Sequence, residues 1–165
     1  MADGEGALPA TARRHDGRLP STFTLVTESP VSAHTLFDLS LDIDAHVSSM
    51  SRSGERAVGG VTTGQIGLGE TVTWRARHFG VWWTMTSQIT VLDRPTLFVD
   101  QQVRGPFKTF THEHRFEQRA TGSRMTDTIT LASPIFGSLA ERLVLVPYLR
   151  QLITRRNAHL LAALS

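Results

Sequence analysis

The sequence predicts an α+β fold: a curved antiparallel sheet of about seven strands wrapped around one long C-terminal helix, with two short helices after the first strand. Three observations predict it. Between residues 71 and 131, segments alternate apolar and polar residues with period two and are joined by short turns containing Gly or Pro, as in an antiparallel meander with one wet face. From residue 138 to 164 the apolar residues instead follow helical spacing. Two short helical patterns lie straight after the first strand. A sheet with one apolar face and an amphipathic helix bury each other, and where the sheet does not close on the helix the gap becomes a pocket.

The first segment, residues 1–20, "MADGEGALPATARRHDGRLP", lacks the apolar stretch of a secretory signal and reads as a flexible leader. Residues 21–165 read as a single domain. The first strand is "STFTLVTES", with Phe23, Leu25 and Thr27 on one face. Pro30 stops it and suits a first helical turn, with Ser29 as the expected N-cap. "PVSAHTLFDLS" and "DIDAHVSSM" are the short helices. The Gly-rich stretch from Ser51 to Glu70 reads as a strand with a loop.

In "ETVTWRARHF", Val72, Trp74, Ala76 and His78 share one face. In "VWWTMTSQITVL", Val81, Trp83, Met85, Ser87, Ile89 and Val91 are in phase. "TLFVDQQVR", "FKTFTHEHRFEQR" and "SRMTDTITLAS" complete the meander. Ser138 and Glu141 form an expected capping box, and Pro147 is expected to kink the helix that follows. Arg142, Arg150, Arg155 and Arg156 read as its solvated face.

Composition excludes several functions. With 40% hydrophobic and 19% charged residues the chain is an ordinary soluble protein able to bury a core. It has no apolar run of the roughly 18 residues a membrane helix needs. With no cysteine there is no disulfide framework, thiolate nucleophile or Cys-type zinc site, which fits a cytoplasmic protein. No basic run interleaved with aromatics suggests nucleic acid. Neither a phosphate-loop signature nor G-x-S-x-G occurs.

"TVTWRARHFG", "FVDQQVRGPFKTFTHEHRFE" and "MTDTITL", with the element order, resemble a bacterial subgroup of the SRPBCC superfamily. Its helix-grip fold is shared by birch-pollen-allergen-like proteins, START domains and polyketide cyclases/dehydrases. The resemblance implies a deep cavity between sheet and C-terminal helix, and no common cofactor or metal. The superfamily includes both carriers and enzymes, so the fold leaves the function open.

Phasing selects the residues that face this interior. Trp74 brings His78 inward, Phe98 brings Asp100 and Gln102, and Phe110 and Phe116 bring His112 and His114. Met125 and Ile129 bring Asp127, and Trp83 and Met85 share the face; on the helix, Leu143 and Pro147 are the expected lining. Such polar groups cost a few kcal/mol each to bury unpaired, so His–Asp pairing is expected, with Asp100 near His112 and Gln102 near a histidine.

Three roles fit the set: an internal network that orders the barrel, a site that orients a small, mostly apolar ligand, or a general acid/base centre. In the last, His112 or His114 moves a proton on a carbonyl substrate and Asp100 or Asp127 orients it. His-x-His also puts two rings on one face as zinc ligands would, but the candidate third ligand, His78, lies on a strand separated from theirs. The expectation is therefore a small hydrophobic partner, no metal or other cofactor, no nucleic acid, no membrane insertion, and a monomer or homodimer.

Overall fold

A computed structural model of the chain describes residues 19–133 and 138–164. Residues 1–18, most of the expected leader of residues 1–20, lie outside the described residues. The elements are β1 (Ser21–Ser29), α1 (Ala33–Ser40), α2 (Ile43–Ser49), β2 (Arg56–Gly60), β3 (Thr71–His78), β4 (Val81–Asp93), β5 (Leu97–Arg104), β6 (Thr109–Arg119), β7 (Gly122–Ala132), a short α3 (Ser138–Ala140) and α4 (Val146–Ala162). The sheet is antiparallel with seven strands in the order β1-β7-β6-β5-β4-β3-β2. The chain returns from the last strand to pair with the first, and α4 lies against the concave face. This is the predicted helix-grip arrangement. No helix of the described residues is long and apolar enough to cross a membrane.

Period-two alternation does most of the construction. In β7 every second residue, from Ser123 through Met125, Asp127, Ile129 and Leu131, is buried, and the threonines between them are half-buried. On the outer face, threonine pairs bridge strands, as Thr22 with Thr130 and Thr73 with Thr86, both at 3.0 Å. One core cluster joins α1 and α2 to the sheet around Leu36, Phe37, Phe98, Phe116 and Met125. The other joins α4 to it around Phe23, Phe110, Ile129, Leu131 and Ile153. Phe37 meets Phe98 and Phe116 edge-on at 5.5 and 5.1 Å, the arrangement aromatic quadrupoles favour.

Several local expectations change. Helix α1 starts three residues later than predicted: Ser32, not Ser29, is its N-cap, accepting from Thr35 N at 3.1 Å. Asp42 caps α2, accepting from Ala45 N at 2.8 Å. The inward phase of β4 does not run through to Val91. A bulge shifts the register between Ile89 and Val91, so Val91 is 40% exposed and Leu92 packs on the core.

The Gly-rich segment is no free flap. Ile43 N donates to Gly64 O, Ile66 N donates to Leu41 O, and Ile66 is buried. Gly60 is required there, because its φ is +68° and a Cβ would meet Thr71 O at 2.1 Å.

The C-terminal helix departs furthest. A π-helical turn, Glu141–Leu145, precedes α4, and Pro147 enters its first turn with no N–H to satisfy. The wider turn shifts the helical phase counted back from Ile153. Leu139 and Leu143, expected inside, are 70% and 66% exposed, and Leu145 turns inward in their place. Ser138's side chain lies outside the described residues. The expected capping box therefore lies outside the described residues; the Glu141 carboxylate accepts from Ser133 N at 2.7 Å. Arg156, expected in solvent, is buried.

Candidate functional site

A cavity of 580 Å³ lies between the sheet, α2 and α4. Its walls are mostly apolar: Ile43 from α2 and Met50 just after it, Val72, Trp74 and Ala76 from β3, Trp83, Met85 and Ile89 from β4, Phe98 and Phe110 from β5 and β6, and Leu149 and Ile153 from α4. Asp100, His112 and His114 form one cluster of its polar groups, because β5 and β6 are neighbours with Asp100 opposite His112 and Phe98 opposite His114. Arg156 approaches from α4.

The polar pairing is diagonal. His114 Nε2 hydrogen-bonds to Asp100 Oδ2 at 3.1 Å. His112 Nε2 hydrogen-bonds to Asp127 Oδ1 at 2.9 Å, while its Nδ1 lies 3.9 Å from Asp100 Oδ2. Of the two candidate carboxylates, Asp127 therefore bonds to His112 and Asp100 to His114. His114 Nδ1 sits 2.8 Å from the same Asp127 oxygen but out of line for a hydrogen bond. The two rings lie 3.7 Å apart, and Phe98 stacks on His114 at 4.1 Å. Asp127 is completely buried behind them and accepts from Asn157 Nδ2 at 2.6 Å. Asn157 in turn donates to Thr27 Oγ1, and Arg156 Nη1 lies 3.9 Å from Asp127.

This environment separates the two histidines. Burial, aided by the neighbouring His114 charge, pushes the His112 pKa below its ordinary value despite Asp127 and Asp100. Burial opposes the His114 cation as well, but the Asp100 bond and Asp127 outweigh it and hold that pKa above the ordinary value. Burial would raise both carboxylates. For Asp100 the His114 bond reverses this, and for Asp127 the His112 and His114 contacts hold the pKa well below the carboxylate range. Two carboxylates thus balance one imidazolium and the Arg156 guanidinium. In its neutral form, His112 donating Nε2–H to Asp127 keeps a lone pair on Nδ1, which has no hydrogen bond.

Of the residues predicted to face a ligand, Trp74, His78, Trp83, Met85, Phe98, Asp100, Phe110, His112 and His114 line the cavity. The remaining five do not. Gln102 turns to the backbone of Phe107, donating to its carbonyl at 2.8 Å, and reaches no histidine. Phe116 fills the core under α1, and Asp127 lies behind the imidazoles. Leu143 and Pro147 are exposed: the π turn shifts Leu143 out of phase, and Pro147 lies on the outer side of the first turn of α4. His78 is apart from the histidine pair, with Nδ1 2.7 Å from Tyr148 Oη.

Among the polar lining residues, His46, Glu55, Tyr148 and Arg156 escape the sequence reading. His46, which reads as surface or packing, stacks on Trp74 at 4.3 Å and pairs with Glu55 at 2.5 Å. Tyr148 carries no signal beyond being the sole tyrosine. Arg156 is hidden among helix arginines, although its neighbour Asn157 falls on the predicted inner face.

A family model described as polyketide cyclase/dehydrase and lipid transport matches residues 20–165. No curated protein sequence matches. Among solved structures, the Zhui aromatase/cyclase from Streptomyces sp. R1128 is similar at 13% identity, with a TM-score of 0.69 over 87% of this chain and 93% of that one. A START superfamily protein from Mycobacterium smegmatis is similar at 10% identity and TM-score 0.68, over 87% and 99%. The protein TTHA0849 from Thermus thermophilus is similar at 19% identity and TM-score 0.66, over 88% and 100%.

Proposed function

Since the chain belongs to the polyketide cyclase/dehydrase and lipid transport family of the SRPBCC superfamily, we propose that it encloses one small, largely apolar organic molecule, its polar end against His112 and Asp100. The observation that carries this is the cavity itself: 580 Å³, within the range of small-molecule sites, with mostly apolar walls and a convergent cluster of Asp100, His112 and His114. Rings or alkyl chains displace water from the walls. A hydroxyl, enol or carbonyl fits where His112 Nδ1 accepts and Asp100 supplies charge.

Native mass spectrometry of the purified full chain tests it through a co-purified small molecule, and naphthol serves as a defined probe. Naphthol should bind saturably. Ala76→Phe, which places a ring in the cavity, should weaken it by about tenfold or more, or 1.4 kcal/mol. Unchanged affinity in that variant refutes the cavity as the site.

The free Nδ1 of His112 favours one second role, proton transfer beside a carbonyl. His112 Nδ1 takes a proton from the adjacent carbon: that C–H bond breaks, the N–H forms, and the electron pair moves to the carbonyl oxygen as an enolate. Asp127 steadies the imidazolium until the proton returns. Deuterium exchange into an aryl methyl ketone should then be catalysed and fall roughly 10²–10⁴-fold in His112→Ala, with ketone affinity changed only a few fold. Equal exchange in wild type and variant rules out proton transfer by His112 and leaves a carrier.

A further inference from the structure

We propose that Asp100, His112 and His114 form a binding site for one divalent transition-metal ion, such as Zn²⁺ or Fe²⁺, at the polar end of the cavity. One ligating atom from each of the three lies within 4.8 Å of the other two. Asp100 Oδ2 stands 3.1 Å from His114 Nε2 and 3.9 Å from His112 Nδ1. Ligands about 2.1 Å from an ion stand about 3–3.5 Å apart, so the three need to move only by side-chain adjustment. The ion takes the position now held by the proton between His114 and Asp100.

The surroundings of the three residues make an independent case. The far nitrogens of both rings face the same Asp127 oxygen, at 2.9 and 2.8 Å. A carboxylate behind a ligating imidazole fixes its orientation and raises its basicity. Here the Asp127 carboxylate hydrogen-bonds to the His112 ring and stands 2.8 Å from the His114 ring, and it is itself anchored by Asn157. The nitrogens left for an ion are then His112 Nδ1 and His114 Nε2, on the side where Asp100 stands.

Two imidazoles and one carboxylate suit Zn²⁺ or Fe²⁺ better than an oxygen-seeking Mg²⁺ or Ca²⁺, and they leave coordination positions open. Those positions face the cavity. They would take an oxygen of its occupant, an enolate, phenolate or carboxylate. Only this last point rests on the ligand-binding role proposed above; the ion itself does not. His78 takes no part, because its Nδ1 is engaged by Tyr148.

The test uses full-length protein stripped with chelator and titrated with Zn²⁺ alone by calorimetry, and with Co²⁺ for its visible bands. One ion per chain should bind with micromolar or tighter affinity. Asp127→Asn should weaken it roughly 10–100-fold, and Asp100→Ala and His112→Ala at least as much. His34→Ala, on exposed α1, should leave it unchanged.

Absence of saturable binding, or binding that survives Asp100→Ala and His112→Ala, overturns the proposal. Wild type alone supplies a readout if variants fail to fold. Zn²⁺ should shift the ring resonances of His112 and His114, and shifts confined to His34, His46 or His159 overturn it. Stripped protein that binds naphthol but not Zn²⁺ refutes the metal site and leaves the cavity role standing. Protein that binds Zn²⁺ but not naphthol does the reverse.

Discussion

Replacing Asp127 with asparagine keeps the side-chain volume and removes one negative charge from a position with no solvent exposure. The carboxylate accepts from His112 at 2.9 Å and Asn157 at 2.6 Å, touches His114 at 2.8 Å, and lies 3.9 Å from Arg156. Without it, Asp100 alone faces the buried His114 and Arg156 cations. Breaking a buried ion pair from one side costs about 3–5 kcal/mol, because the stranded charge cannot reach water. In a chain of this length each kcal/mol lowers Tm by about 2–4 °C, so Tm should fall by roughly 6–20 °C.

Chemical denaturation of metal-free protein near neutral pH measures the loss directly. The same substitution in a His114→Gln background should cost at least about 1 kcal/mol less, since one stranded cation is already gone. A loss below about 0.5 kcal/mol, the size of an ordinary surface change, would refute the charge network. An equal loss in both backgrounds would refute His114 as the cationic partner.

Further outcomes follow from the same geometry. In NMR titration of metal-free protein, the His112 ring should titrate below about 6.5 and the His114 ring above it; the reverse order would overturn the assignment of charge. Folding stability should respond with opposite signs. The raised His114 pKa gives stability that is full below about 6.5 and is lost as pH rises through the folded value, whereas the depressed His112, Asp100 and Asp127 values give stability lost as pH falls. Thermal melts across pH should therefore peak near the ordinary histidine pKa, and His114→Gln should flatten the alkaline limb.

Leu143→Ala should stay within about 0.5 kcal/mol of wild type, and Ile153→Ala should cost about 2–5 kcal/mol. Comparable losses would mean that the helical phase before Val146 is wrong. Gly122→Ala should destabilise by at least about 1–3 kcal/mol in denaturation, since φ is +105° and its Cβ would meet Ser29 O at 2.0 Å; an unaffected variant would contradict that turn.

How much of this is legible in the sequence depends on the kind of regularity involved. The strands are, because alternation of Trp74 with Arg75 or Met125 with Thr126 records which side of a strand meets water. The inward placement of Asp100, His112 and His114 follows from the same phase. Their partners do not. Register sets Asp100 opposite His112, yet Asp127, one strand further on, takes His112 and leaves Asp100 to His114. That choice depends on side-chain torsions and on three strands together.

Val91 and Leu143 are misplaced by the sequence pattern for one reason. A bulge or a π turn adds a residue without changing composition, and every position counted across it changes face. Arg156 escapes because helix arginines usually reach water, and its counter-charge sits on β7. Zinc ligation falls with His78 when only histidines are counted; the third ligand is instead a carboxylate already on the inner face.

The balance of charge around Asp127 also bears on how such a protein can diversify. Trp74, Trp83, Met85 and Phe110 each meet the cavity as separate apolar surfaces, so single exchanges there reshape the lumen by small, independent steps. The two carboxylates, the imidazolium and the guanidinium form a closed sum, and no single exchange preserves it. Lineages descended from this chain should therefore drift readily in the shape of what they hold, whereas a new polar end requires at least two coordinated changes, passing through an intermediate that folds poorly.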